Sequence, residues 1–515
     1  VQLSDLTGTP WLTRVKRLNG VTLDPVLKFL KLLKWRMATG LLFGLAAVGC
    51  SVGPDYVRPA IDVGDQYKSA PGWVPASPSA PSLSDRWWES FQDPQLNQLM
   101  SDLNQGNLSI VQAQAQYRQA VTIVRSANAS LYPTVGFNAD VTRADTPVLL
   151  PGSSAVVGDF APYTQYGAAF GVAWELDLWG GVSRSIEAAQ ASAVASAADL
   201  AGVRLSSQAA LASAYFQVRV LDVQSQLLDR TVAAYQRSLQ LTQNLQAAGL
   251  SDKTDVAVAR TQYESTRAQL IGLRWQRAQL ENAIAVLLGQ APSTFTLIAV
   301  NDFKPQLPQT PVGLPSTLLQ RRPDIASAER RTAAANAQIG VATSAWFPDL
   351  TISGNAGFQS RQFAQWFSAP AQFWALGPAL ALAIFDGGRR SAQVDQARAA
   401  FDAQAAAYRL TVLRALQEVE DSLVQLSVLA QEQTVQRLAV EAALSSLRMR
   451  QNQYKEGLVD YLSVALLETS ALNNQRTEIS IMGSRLAASV RLVAALGGGW
   501  STEQLTNAGN PVPTP

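Results

Sequence analysis

From Gly181 to Ala248 the chain runs without a proline and with one interior glycine, Gly202. Ala, Gln, Leu, Arg and Ser dominate the stretch, and most of these tolerate a helix well. Leu211, Ala214, Val218, Leu221, Leu228, Val232, Tyr235 and Leu239 fall at three- and four-residue steps. That is the spacing of a helix laid along other helices. At about 1.5 Å per residue such a helix is roughly 100 Å long. An ordinary compact domain has no room for it, so the body must be elongated.

The same unit occurs twice. An amphipathic helix over 93–129 ends at Leu131-Tyr132-Pro133, and another over 316–345 ends at Trp346-Phe347-Pro348. Each leads into an alternating segment. In 134–142, Val135, Phe137, Ala139 and Val141 oppose Thr134, Gly136, Asn138 and Asp140. In 349–358, Leu350, Ile352, Ala356 and Phe358 oppose Asp349, Thr351, Ser353 and Asn355. Period-2 alternation predicts strands. After a loop (143–164 and 359–371) a second strand follows in each copy, over 165–177 and 372–386. Glycine pairs come next, Gly180-Gly181 and Gly387-Gly388. Long helices are predicted over 181–248 and 389–456, closing at Gly249-Leu250 and Gly457-Leu458, where glycine suits a helix C-terminus. Return helices cover 252–288 and 460–496.

Each strand has about the length that crosses a bilayer as a tilted barrel strand, and aromatic residues such as Tyr132, Tyr163, Trp174, Trp179 and Phe385 stand at the ends. Four strands cannot close a barrel, so a barrel would need strands from neighbouring chains. A soluble pair of β-hairpins packed on helices is the competing reading.

Composition excludes several functions. The chain has no histidine and one cysteine. That removes Ser-His-Asp and Cys-His nucleophile arrangements, His-ligated metal sites and intrachain disulfides. No catalytic or metal-binding residue is assigned, no cofactor is expected, and the reading is that the protein is not an enzyme. Seven of the 41 basic residues and two of the 39 acidic ones precede Cys50, so the remainder carries no basic excess that would favour nucleic acid. Charged residues make up only 16%, low for a lone coiled coil.

Basic residues, a short apolar run from Ala38 and small residues before Cys50 have the layout of an export signal. Ala47-Val48-Gly49-Cys50 resembles a bacterial lipobox, with Ala47 where leucine is usual. The resemblance implies a covalent lipid, diacylglycerol plus an N-acyl chain, on Cys50. Ser51 after it resembles lipoproteins sent to the outer membrane. Residues 1–36 exceed what a signal needs. Residues 51–92 are rich in Pro, Ser and Gly and read as an extended segment along the body surface.

Several motifs together resemble the outer-membrane factor family of TolC-like efflux ducts, and within it the OprM-type lipoproteins of resistance-nodulation-division systems. They are Pro54-Asp55-Tyr56-Val57-Arg58-Pro59, Trp87-Trp88 with Asp93-Pro94-Gln95-Leu96, and Trp174-Glu175-Leu176-Asp177-Leu178-Trp179-Gly180. Gly313-Leu314-Pro315-Ser316, Arg321-Arg322-Pro323-Asp324-Ile325 and Gly497-Gly498-Gly499-Trp500 complete the set. The resemblance implies an α+β membrane protein. It would be a homotrimer whose twelve-stranded outer-membrane β-barrel, four strands per chain, continues into a long periplasmic α-helical barrel. An equatorial girdle would include 289–315 and 497–515. The chain would divide into a signal with its extension (1–49), an extended lipidated segment (50–92), a first repeat (93–315) and a second repeat with the C-terminal segment (316–515). The implied function is the passive outer-membrane channel of a tripartite efflux system, a duct for drugs or other small toxic compounds. A periplasmic adaptor (membrane fusion protein), an inner-membrane efflux pump and outer-membrane lipids would be its partners. A structural or adhesive coiled-coil lipoprotein without a pore is the alternative.

The periplasmic tip would lie at the turns holding Gly249, Asp252, Asp255, Gly457 and Asp460. In the family the return helix after the second turn carries the constriction. Leu462 matches a leucine ring there. Four residues on, Leu466 stands where aspartate is common, and Thr469 where arginine can occur. The resemblance therefore implies a gate at Leu462 and Leu466 that is more apolar than usual, with ordinary coiled-coil core as the other reading. Arg321, Arg322 and Asp324 read as charged groups pairing at a helix start, where Asp324 suits the helix dipole.

Overall fold

The computed structural model describes residues 51–64, 67–68, 86–144, 162–300, 303–308 and 315–506. The export signal, Cys50 and most of the 143–164 loop lie outside them. A short turn of helix at Trp87–Phe91 precedes α1 (Pro94–Gly106), α2 (Leu108–Ala129), β1 (Thr134–Ala144) and β2 (Tyr163–Leu176). The 67-residue α3 (Gly181–Ala247) and α4 (Lys253–Leu287) follow. The second half repeats the order with α5 (Leu318–Arg321), α6 (Pro323–Ser344), β3 (Asp349–Ser360), β4 (Gln372–Ala381), the 67-residue α7 (Arg389–Lys455) and α8 (Tyr461–Ala495), and then α9 (Glu503–Thr506).

The strands form one antiparallel sheet in the order β1-β2-β3-β4. Its register decides what the alternation in each strand means. Phe137 faces Phe170, Phe170 faces Ala356, and Ala356 faces Trp374; Val135, Val172, Gly354 and Leu376 form the next row. Directly opposed residues lie on one face of a sheet, so every apolar set lands on the same side. The other side carries rows such as Gly136, Gly171, Asn355 and Ala375. The apolar face is bare: Phe137, Phe170, Trp374, Leu376 and Leu380 are all exposed. A soluble hairpin pair would bury this face on its own helices, so the structure disfavours that reading. Among the described residues both outer edges, β1 and β4, lack partners.

Two expected helices are broken. The helix expected over 93–129 is interrupted at Asn107, whose extended backbone (ψ 118°) lets its side chain cap α2 by accepting from the Ile110 amide at 3.0 Å. The helix expected over 316–345 breaks at Arg322, which proline at 323 holds extended. Strand β4 stops at Ala381 rather than Asp386. Its last partner, Asp349, is the first residue of β3, and among the described residues nothing pairs beyond it. Leu382, Ile384 and Phe385 are left exposed.

The breaks serve the packing. In the upper half α2, α3, α6 and α7 lie side by side, and in the lower half α4, α3, α8 and α7 do. Helix α2 therefore begins where α4 ends, and α6 where α8 ends. Asn107 Nδ2 donates to the Leu287 carbonyl at 2.7 Å, and Arg322 Nη1 to the Ala495 carbonyl at 2.9 Å. Each junction thus satisfies a carbonyl that the end of a helix leaves open. Arg322 also pairs with Asp324 (2.7 Å) and Glu418 (2.8 Å), the pairing role read from the sequence.

The main core sits at these junctions. Trp87, Trp88, Phe91, Leu96, Met100 and Leu103 pack on Leu211, Tyr215, Phe216 and Val490. Fully buried Arg219 pairs with Asp222 at 2.7 Å, Arg277 pairs with the same carboxylate at 2.8 Å, and both arginines bond carbonyls of 297–298, tying that segment to the helices. Residues 51–64 lie extended along the body, as expected. Asp55 meets Arg184 at 2.8 Å, Asn336 donates to the Pro54 carbonyl, and Arg58 Nε donates to the Tyr408 hydroxyl at 3.1 Å.

Candidate functional site

The lower ends of the two helical hairpins are built alike. Gly249 (φ 76°) and Gly457 (φ 72°) adopt a left-handed backbone that residues with a Cβ rarely take. The amide after each reaches back five residues, Leu250 to the Leu245 carbonyl and Leu458 to the Gln453 carbonyl. This closes the helix end in a Schellman turn. Asp252 and Asp460 then cap the return helices. Asp252 accepts from the Thr254 amide at a long 3.5 Å, and Asp460 from the amide (3.1 Å) and hydroxyl of Ser463. Those bonds hold the Asp460 carboxyl below its usual range. Asp255 accepts from the Ser251 hydroxyl at 2.8 Å. The three tip carboxylates thus serve their own turns.

Behind the turns Ala259, Tyr461, Val464 and Ala465 are buried against Leu239, Val258, Leu447 and Tyr454. Leu462 and Leu466 lie on the opposite side of α8 and are 49% and 64% exposed. They take no part in the chain's own core. The stripe continues up the helix as Ser470, Asn473, Thr477 and Ser480, all exposed. These positions recur at three- and four-residue steps, so they share one face. The face is apolar for its first two members and polar above them.

No motif or spacing singles out Glu468. It is 4% exposed, on the buried side of α8. The Tyr461 hydroxyl reaches it at 3.3 Å and Gln451 Nε2 at 3.4 Å. Burial raises its carboxyl above the ordinary range. Burial also raises the phenols of Tyr461 and Tyr235, and the charge of Glu468 adds to both shifts. The Tyr235 hydroxyl is buried with no hydrogen-bond partner among the described residues. Neighbouring helices are tied by Gln262 Nε2 donating to the Thr469 hydroxyl (2.8 Å) and by the Tyr454 and Thr242 hydroxyls at 3.3 Å. Periodicity places Glu468 on the inward side of α8, but its environment comes from α3 and α7, far away in sequence.

At the other end of the molecule Trp179 stacks on Phe347 at 4.8 Å and donates to the Pro348 carbonyl, and Trp174 Nε1 donates to the Leu131 carbonyl. Beyond β3, Phe363, Trp366 and Phe367 cluster with Tyr166 and Phe358. The apolar sheet face is therefore flanked by aromatics at both ends, as a membrane-crossing strand requires. No described helix is long and apolar enough to cross a membrane.

The sequence profile described as "Outer membrane efflux protein" matches residues 99–290 and 314–498. The chain belongs to this family. Its relatives include the probable efflux pump outer membrane protein TtgC of Pseudomonas putida, 31% identical over 461 residues, covering 88% of this chain and 93% of that protein. The cation efflux system protein CusC of Escherichia coli is 28% identical over 457 residues, covering 88% and 97%. Among solved structures, the outer-membrane channel OprN superposes with a TM-score of 0.81 at 31% identity, covering 88% of this chain and all of that one. The open-state MtrE channel of Neisseria gonorrhoeae gives 0.77 at 27%, covering 87% and 98%. The fold is therefore that of the trimeric family channels, four strands per chain closing a twelve-stranded barrel continuous with a helical barrel. In that closed barrel β1 and β4 find their partners on adjacent chains. The protein is an outer-membrane efflux channel of a tripartite system, and the pore-free lipoprotein alternative falls away.

Proposed function

We propose that this channel is a passive duct whose periplasmic end is closed by an apolar ring of Leu462, seconded by Leu466, three copies of each meeting on the axis. The carrying observation is the exposed stripe of α8, apolar at these two positions and polar from Ser470 upward. An apolar ring closes a pore by excluding water, with no charge or bound ion. Above it, Ser, Asn and Thr give a wet lining that holds amphipathic cargo weakly. The cargo is drugs or other small toxic compounds. Its transport is driven by an inner-membrane pump through a periplasmic adaptor, which favours the splayed arrangement of the two hairpin ends. The chain itself catalyses no reaction.

The lipid on Cys50 belongs to the same proposal. Ser51 lies against Gly180, in the turn between β2 and α3, and the Val52 amide donates to the Trp179 carbonyl at 3.1 Å. The described chain thus begins beside the turn that joins β2 to α3, the end of the sheet nearest the helices, which supports a lipid anchor at this end of the barrel.

The gate is tested by the conductance of purified trimers in planar bilayers. Leu462→Ser wets the constriction and raises resting conductance. Leu423→Ser, fully buried within α7, costs roughly 2–5 kcal/mol of stability without opening the pore. Divalent cations block weakly, because Leu466 supplies no carboxylate. An unchanged conductance in Leu462→Ser refutes the apolar gate.

A further inference from the structure

Glu468 is buried with no cation paired to it among the described residues. Its side chain lies one to two turns above Leu462 on the opposite, inward side of α8. Three elements face it. Helix α8 contributes the Tyr461 hydroxyl, α7 contributes Gln451, and α3 contributes Tyr235. All three are neutral near pH 7. Among the described residues no lysine or arginine pairs with Glu468, and Gln451 and Tyr461 are its only hydrogen-bond partners. Both bonds are long. By contrast, Asp222, also buried, has Arg219 and Arg277 within 2.8 Å.

A buried carboxylate without a cation is strongly disfavoured, so such a group keeps its proton or its surroundings open to water. Here the surroundings are the packing that holds α8 onto α3 and α7 just behind Leu462 and Leu466. Hydrating Glu468 requires those helices to part, which moves the leucines away from the axis.

We propose that Glu468 is a proton-sensitive latch for the periplasmic gate, its neutral form permitting the packed, closed tip and its ionised form favouring the splayed, open one. The proposal rests on the apolar gate at Leu462. The sign follows from linkage. A carboxyl whose affinity for protons is higher in the closed state binds more protons there than in the open state. Rising pH therefore weakens the closed state, and falling pH strengthens it. The window lies between the ordinary glutamate range and the raised value of the buried group. Asp460, on the exposed turn, is shifted downward and titrates below this window. Asp252 and Asp255 lie on the other turn and do not touch Glu468.

The experiment records the resting conductance of wild-type, Glu468→Gln and Leu462→Ser trimers in planar bilayers between about pH 5 and about pH 8. Glutamine keeps the size and polarity of the neutral acid. Wild-type conductance rises several-fold with pH, whereas Glu468→Gln stays low and flat. Infrared difference spectra of the purified trimers across the same range give a readout independent of the pore. The carbonyl band of a protonated carboxyl fades with rising pH in wild type and is missing in Glu468→Gln. Identical pH profiles in wild type and Glu468→Gln overturn the latch, as does an unchanged infrared difference. If Leu462→Ser opens the pore and Glu468→Gln leaves the profile unaltered, the gate stands and the latch falls. If Leu462→Ser changes nothing, the gate itself is misplaced and the latch falls with it.

Discussion

Arginine at Phe170 tests the face assignment on which the barrel rests. Phe170 sits mid-strand in β2, opposite Phe137 on one side and Ala356 on the other, with its ring 5.0 Å from that of Phe137. It is 59% exposed in the single chain, on the face that meets lipid. A guanidinium near the bilayer midplane of a barrel costs about 2–4 kcal/mol. The trimer carries three copies, so Phe170→Arg costs roughly 6–12 kcal/mol per assembly, comparable with the whole stability of an ordinary domain. Asn138 is the matched control. It neighbours Phe137 in β1 but points to the opposite face, paired with Ala169. Asn138→Arg therefore meets water in the lumen and leaves folding nearly unchanged. The assay is the yield of heat-modifiable trimer in the outer-membrane fraction, followed by urea titration of trimers refolded into vesicles. The expected result is a large loss for Phe170→Arg and near-wild-type behaviour for Asn138→Arg. Equal tolerance of the two would falsify the lipid-facing assignment, and equal damage would mean that both faces are buried.

Two further outcomes are expected. Cys50→Ala abolishes incorporation of labelled palmitate while trimers still form, since the barrel supplies its own anchor; equal labelling of wild type and variant refutes lipidation there. Arg322→Ala leaves the Ala495 carbonyl without its donor, while Asp324 and Glu418, about half exposed, rehydrate; the loss should be about 1–3 kcal/mol in denaturant unfolding, with conductance unaltered.

Much of the architecture was legible in the sequence because it is written in local periods. Strict alternation marked the strands, three- and four-residue steps marked the long helices, and glycines marked both hairpin ends to within a residue or two of Ala247 and Lys455. The repeat supplied a second witness for each element. These signals survive in one sequence because a helix or a strand selects its residues by the shape of its own backbone.

Tertiary structure decided what those periods face. Alternation says that Phe170 differs from Ala169, but only the register shows that Phe137, Phe170, Ala356 and Trp374 share one side. Pro323 is a local signal for the break at Arg322, but that the breaks at Asn107 and Arg322 meet the ends of α4 and α8 is not written locally. The sequence leaves Leu462 and Leu466 open between gate and ordinary core, and only the packing of Tyr461, Val464 and Ala465 shows that the chain's own core lies on the other side of α8. Glu468 reads as one more charged helical residue until α3 and α7 enclose it. Its surroundings come from residues far apart in the chain, Tyr235 of α3 and Gln451 of α7 among them. Periodicity fixes which side of an element differs from the other; the identity of the neighbour on that side is a property of the assembled fold.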